Sequence, residues 1–150
     1  MQTIANYAAR ARALVAAGAT FAACGDTGTD TDDARGIAPL LARYDAKKTL
    51  AGCAVCDRVV GAGAAYLYVL LAPATLHAPV LSRPALEILT TYGVRVTYDT
   101  LVSHIVNRTG DGVCPMERAV AEATTPTAAL AALRETLKRL QTKEKGDALS

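Results

Sequence analysis

The chain has almost no net charge: 16 Lys and Arg against 14 Asp and Glu leave +2 over 150 residues. No basic footprint for nucleic acid and no polybasic run for lipid is present, so small molecules or proteins are the expected partners, with no nucleic acid and no membrane. Long hydrophobic runs are missing too. The alanine-rich stretches are broken by Arg, Lys, Pro or Gly well before the roughly 18 residues that a spanning helix needs. Near the N-terminus, Arg10 and Arg12 fall inside the alanine run rather than ahead of it, unlike a secretory signal, and a cytoplasmic protein is expected. Four cysteines do not make a disulfide scaffold in a domain this large, and in a reducing compartment they are free thiols. The Asn107-Arg108-Thr109 sequon is then idle. No internal repeat and no dividing linker occur. With 51% apolar residues the chain can bury one substantial core, and a single domain over residues 1–141 is expected, followed by a frayed charged tail over 142–150.

Periodicity predicts a helix over Ile4–Ala17 stopped at Gly18, then a hairpin from Thr20 to Gly36 turning at Gly25-Asp26-Thr27-Gly28. The aspartates of that turn do not complete a calcium loop, because Thr31 and Ile37 stand where glycine and the closing glutamate belong. Ile37–Lys47 reads as a helix entered through Gly36, Leu50–Cys56 as a buried strand, and Val59–Leu71 as an interior helix ending at Pro73. Leu76–Leu81 is the next strand. Ser82 then caps a helix through Tyr92, and Val94–Tyr98 is a strand after Gly93. Leu101–Asn107 is read as a helical turn. Thr125-Pro126 starts a last helix with Leu130, Leu133, Leu137 and Leu140 on one stripe, packed on the domain or on a second subunit. Strands alternating with helices behind an antiparallel hairpin imply a mixed sheet in a three-layer α/β/α sandwich.

The densest chemistry lies in Asn107-Arg108-Thr109-Gly110-Asp111-Gly112-Val113-Cys114-Pro115-Met116-Glu117. Proline favours the first helical position, so Cys114 reads as the N-cap and Glu117 as the third residue, able to bond back to it. A helix N-terminus aims N–H groups and positive potential at the sulfur, favouring thiolate and nearby anions. Cys114 is a reactive or ligand-contacting thiol, or a cap. Arg108 reads as a bidentate partner for phosphate or carboxylate, or as the ion-pair partner of Asp111 or Glu117. Asp57 is an N-cap, a ligand-binding carboxylate or a general base. Gly61 admits a close approach of ligand or of backbone. Cys53-Ala54-Val55-Cys56 has metal or redox spacing, yet residues three apart on a strand face opposite ways, so buried thiols are the simpler reading. His77 and His104 are lone and read as core or surface residues, His104 being within reach of Cys114 if its segment folds back.

Ala54-Val55-Cys56-Asp57-Arg58-Val59-Val60-Gly61, Ser82-Arg83-Pro84-Ala85-Leu86 and Asn107-Arg108 through Cys114-Pro115-Met116-Glu117, with Gly36 and Tyr98-Asp99 in register, resemble the family known as domain of unknown function 1893. The resemblance spans roughly residues 4–140. It implies a cytidine-deaminase-like α/β/α fold without an established activity, with a pocket at the starts of the two crossover helices, near Asp57 and Ser82. The family commonly carries a lysine where Ala62 stands, and another where Arg58 stands. Zinc deaminases need His or Cys followed by Glu at one helix and Pro-Cys-x-x-Cys at the other. Both half-sites are missing, so no metal and no cofactor is expected. The reading is therefore a zinc-free deaminase-like protein that binds a small nucleotide-like or phosphorylated metabolite. Asp57 and Cys114 are its candidate catalytic residues, and Gly61, Ser82, Asn107, Arg108 and Glu117 its candidate ligand contacts. The alternatives are an enzyme using Cys114 as nucleophile with Asp57 or His104 as proton acceptor, and a non-enzymatic homodimeric interaction module.

Overall fold

The computed structural model describes residues 2–34, 36–106 and 112–149, with side chains up to residue 142. Strand β1 (Phe21–Gly25) pairs antiparallel with β2 (Gly28–Asp32) across the Asp26-Thr27 turn, confirming the hairpin. Every residue of β1 is buried because both of its faces are covered. Ala22 and Cys24 pack against Ala11 and Val15 of helix α1 (Ile4–Ala16), whereas Phe21 and Ala23 join the main core on the opposite face. The hairpin aspartates have structural partners. Arg43 of α2 (Ala38–Asp45) donates to Asp30 at 2.8 and 3.0 Å and to Asp32 at 3.2 Å, and its guanidinium lies 4.5 Å from the centre of the Phe21 ring.

The centre of the sheet departs from the periodicity reading. Leu50–Cys53 is a turn rather than strand, closed by Cys53 N–H donating to Leu50 O at 2.9 Å, so β3 covers only Ala54–Asp57. Val59–Val60 is not the start of a helix. It is a strand, β4, and β3 and β4 run parallel to β5 (Thr75–Ser82) in one unbroken register from Ala54 opposite Thr75 to Val60 opposite Leu81. At the intervening Arg58, the N–H bonds Thr20 O at 2.9 Å and the carbonyl accepts from Val80 N at 3.1 Å. Short apolar runs fit a strand or a helix equally by periodicity alone, which is why the sequence pattern extends the helix back to Val59; in the fold Val60 is buried and Val59 is exposed. Helix α3 (Ala62–Leu71) follows, buried from Ala62 through Tyr68 and again at Leu71, the interior helix that its composition predicts.

Ser82 ends β5 and caps α4 (Arg83–Thr91), its Oγ accepting from Ala85 N at 3.2 Å. Strand β6 (Val96–Val102) lies parallel on the other flank of β5. It takes in Leu101 and Val102, so the expected helical turn over Leu101–Asn107 is not formed in its described part: Val106 instead bridges Val113. Helices α5 (Pro115–Val120) and α6 (Pro126–Leu149) close the chain. The architecture is a mixed α/β fold on an open, six-stranded mixed sheet. Helix α6 continues to Leu149, past residue 141, where fraying is expected. Among the described residues no helix is long and apolar enough to cross a membrane.

Three leucines of the α6 stripe join the main core: Leu133 is fully buried, and Leu130 and Leu137 are partly buried against that core. A Cβ on Gly63 of α3 would sit 3.0 Å from Leu133 Cδ2, so the two helices approach through the missing side chain. Leu133→Ala should cost about 2–5 kcal/mol in urea denaturation, the range for emptying a packed leucine site. A loss well under 1 kcal/mol would mean that α6 does not close this core.

Candidate functional site

The carboxyl ends of the parallel strands gather Gly61, Ser82, Cys114 and Glu117. Gly61 follows Val60, the last paired position of β4, and Ser82 ends β5, next to Leu81 opposite Val60 and paired with Val102 of β6. Gly61 is the N-cap of α3 and has no side chain to offer the helix's first N–H groups. Glu117 supplies the acceptor from α5, with Oε1 and Oε2 each 2.9 Å from Ala62 N. The Glu117 N–H donates to Cys114 O at 2.9 Å, but the expected bond from the Glu117 side chain back to Cys114 N is not made, because that N–H donates to Ile105 O at 2.9 Å. Gly61 has an ordinary extended φ of −101°, so space rather than backbone freedom requires glycine. A Cβ there would overlap Glu117 Oε1 and lie 2.9 Å from Ile105 Cγ1. Burial raises the Glu117 pKa, against the Ala62 hydrogen bond and the nearby His104, which both lower it.

Cys114 is the N-cap of α5 and half-buried, and its thiol makes no capping hydrogen bond. Ser82 is fully buried and spent on Ala85. His104 is exposed on a bend, with Ser103 Oγ 3.1 Å from its Nδ1. Asn107 and Arg108 lie outside the described residues, as does Asp111, the expected partner of Arg108.

Asp57 does not join this group. It is neither an N-cap nor at a strand–helix junction, because the strand continues past it and α3 starts five residues later. Four residues of extended chain separate it from Gly61 by about 13 Å. Its residue is partly buried while its carboxyl is enclosed, accepting from Tyr68 Oη at 2.6 Å, and desolvation pushes its pKa up to about 7. Tyr68 is fully buried and is itself pushed well above its usual pKa.

On the α1 side of the sheet, a cavity of about 400 Å³ is lined by Arg12, Cys56, Arg58, His77, Pro79 and Asp99 among others. Strand register puts Cys56, His77 and Thr97 side by side on β3, β5 and β6. His77 Nδ1 lies 2.7 Å from Thr97 Oγ1, and Nε2 lies 3.3 Å from Asp99 Oδ2. Both ring nitrogens are thus engaged away from Cys56, whose thiol burial pushes up to about 11. Arg12 and Thr97 carry no motif signal: the pairing of β5 with β6 brings Thr97 beside His77, and the packing of α1 on the sheet brings Arg12 to the cavity. All four cysteines are free. Among the described residues no group of three or more His, Cys, Asp or Glu is placed to hold a metal ion.

Glu117→Ala should cost about 0.5–2 kcal/mol, as loss of a helix cap does. Gly61→Ala should cost about 1–3 kcal/mol through overpacking, and less in the Glu117→Ala background, where the overlapping carboxyl is gone. Additive losses in a double-mutant cycle would contradict the contact. Asp57 has the opposite pH signature to a salt-bridged carboxylate. Its proton is held in the fold up to about pH 7, while the unfolded chain releases it near 4. This contribution to stability is present at low pH and is lost as pH rises through that window. Asp57→Asn should flatten the decline in denaturation midpoint between about pH 4 and 7, and an unchanged slope would show an ordinary carboxylate.

The family model for a domain of unknown function, DUF1893 (TM1506), matches residues 10–137. The crystal structure of a DUF1893 family protein (TM1506) from Thermotoga maritima is similar, with a TM-score of 0.78 and 23% identity over 93% of this chain and 91% of that one. At that identity the likeness speaks for the fold alone. No curated protein matches. A family-model match over most of the chain, alongside the fold likeness to a solved member, places this protein in the DUF1893 family.

Proposed function

We propose that this DUF1893 chain is a zinc-free, cytidine-deaminase-like three-layer α/β/α protein of the cytoplasm. In this reading it binds a small nucleotide-like or phosphorylated anion at the carboxyl ends of its parallel strands, beside Gly61, Cys114 and Glu117, with Asn107 and Arg108 as further proposed contacts and Ser82 serving only to cap α4. The observation that carries the reading is the Glu117 carboxylate on Ala62 N. The start of α3 receives an anion from another element across a glycine, and a ligand phosphate or carboxylate fits the same N–H groups by exchange. Burial raises the Glu117 pKa, which eases its release. Asp57, enclosed by Tyr68 short of the strand ends, supports the sheet and not the ligand.

The nucleophile reading also has an observation in its favour. The Cys114 thiol is not consumed by capping, whereas burial pushes Cys53 and Cys56 up and leaves Cys24 only 1% exposed. Iodoacetamide labelling of the folded protein, read site by site by mass spectrometry, should modify Cys114 first; labelling that begins at Cys53 or Cys56 would remove Cys114 as a reactive centre.

Thermal melts with nucleoside monophosphates, ribose 5-phosphate and inorganic phosphate test the binding reading. A ligand should raise Tm with concentration, by mass action on the folded state. Glu117→Ala, with its helix end vacated, should bind more tightly than the parent. No Tm response to any of these at millimolar concentration, in either protein, would overturn the assignment.

A further inference from the structure

We propose that the cleft between α1 and the β5–β6 pair is a second ligand site, built for a small carboxylate that also bears a hydroxyl or amino group. Helix α1 packs on β1 and β3 and only borders β5, leaving β6 open on this face. The resulting cavity of about 400 Å³ falls in the range of small-molecule sites. It presents an apolar floor at Val15 and Pro79 and charged walls at Arg12, Arg58 and Asp99.

The polar groups differ in what they are free to do. Arg58 is committed: its Nη2 donates to Ala19 O at 3.0 Å and Val15 O at 3.4 Å, completing the carboxyl end of α1. His77 holds Asp99 by Oδ2, which leaves Oδ1 toward Arg12. That Arg12–Asp99 pair is 4.0 Å apart, beyond hydrogen-bond length, with both side chains more than half exposed. A surface pair of this kind is worth about 0–1 kcal/mol, so opening it for a ligand costs little. A guanidinium donor and a carboxylate acceptor then stand side by side over an apolar floor. A ligand carboxylate satisfies Arg12, an adjacent O–H or N–H satisfies Asp99 Oδ1, and its carbon end covers Val15 and Pro79. Two guanidinium groups against one carboxylate favour an anion. Asp99 disfavours a phosphate dianion, which lacks the donor and carries more negative charge.

The test is an NMR titration of the intact chain with lactate, malate and serine, using acetate and inorganic phosphate as controls. A hydroxy or amino acid should give saturable shifts at Arg12, Thr97 and Asp99. Acetate, lacking the donor, should bind about tenfold or more weakly, as should the cognate acid to Arg12→Gln or Asp99→Asn, the loss expected for one charged hydrogen bond. Unchanged melting of both variants separates this from misfolding. The proposal is overturned if no acid gives saturable shifts in the millimolar range, if acetate or phosphate binds as tightly as the hydroxy and amino acids, or if the shifts cluster at Ala62 and Glu117. The last outcome would assign binding to the strand ends and leave that reading standing on its own.

Discussion

The fold turns on one capping contact made across a glycine. Helix α3 is buried along nearly its whole length, and its neighbours are α2, α4, α5 and α6. Such a helix cannot leave its first N–H groups to solvent, and its own N-cap is Gly61. The Glu117 carboxylate answers that need from 55 residues away, and in doing so locks α5 to the strand ends. Tyr66 Oη adds a second tie by donating to Ala123 O at 3.0 Å, anchoring the connection from α5 into α6. The bare backbone at Gly61 and the Glu117 carboxylate on α5 are two halves of one device.

Ionic groups elsewhere follow the same logic of completing backbone or joining elements. Arg43 clamps α2 onto the hairpin through Asp30 and Asp32; its hydrogen bond holds Asp30 below the usual carboxylate range, and the Ala34 N–H, with Arg43 behind it, does the same for Asp32. Arg58 finishes α1, and Arg134 of α6 pairs with Asp45 at the end of α2. Arg12 and Asp99 stand apart from these because they face each other loosely over a cavity. Charges that complete no backbone and close no packed contact are the ones available to a ligand.

The two faces of the sheet accordingly serve different ends. One carries the large core, which takes in Val55 and most of α3, and there Tyr68 donates to Asp57. The other is covered by a single helix over β1 and β3, so that His77, Thr97 and Asp99 form an ordered polar row at its margin. Asymmetric coverage produces both a buried centre and an accessible cleft on one sheet.

Local chemistry in the sequence determined the hairpin, the stop of α1 at Gly18, the Ser82 cap of α4, the Cys114–Pro115 start of α5 and the apolar character of α3. Each depends on neighbouring residues, and each is found. The extent of the central strand was not legible, because Val59 and Val60 suit a buried strand or a buried helix equally and only pairing with β5 decides. The same pairing removed Asp57 from the helix start. Local pattern points the Glu117 side chain at the N-cap three residues back, but its partner lies on another helix, since Cys114 N–H donates to Ile105 O. His77 looked solitary until β6 brought Thr97 and Asp99 beside it. Caps, turns and periodicity are set within a few residues and can be read along the chain. Which strand lies beside which, and which carboxylate reaches which helix end, follows from burying two faces of one sheet, and that only the tertiary structure decided.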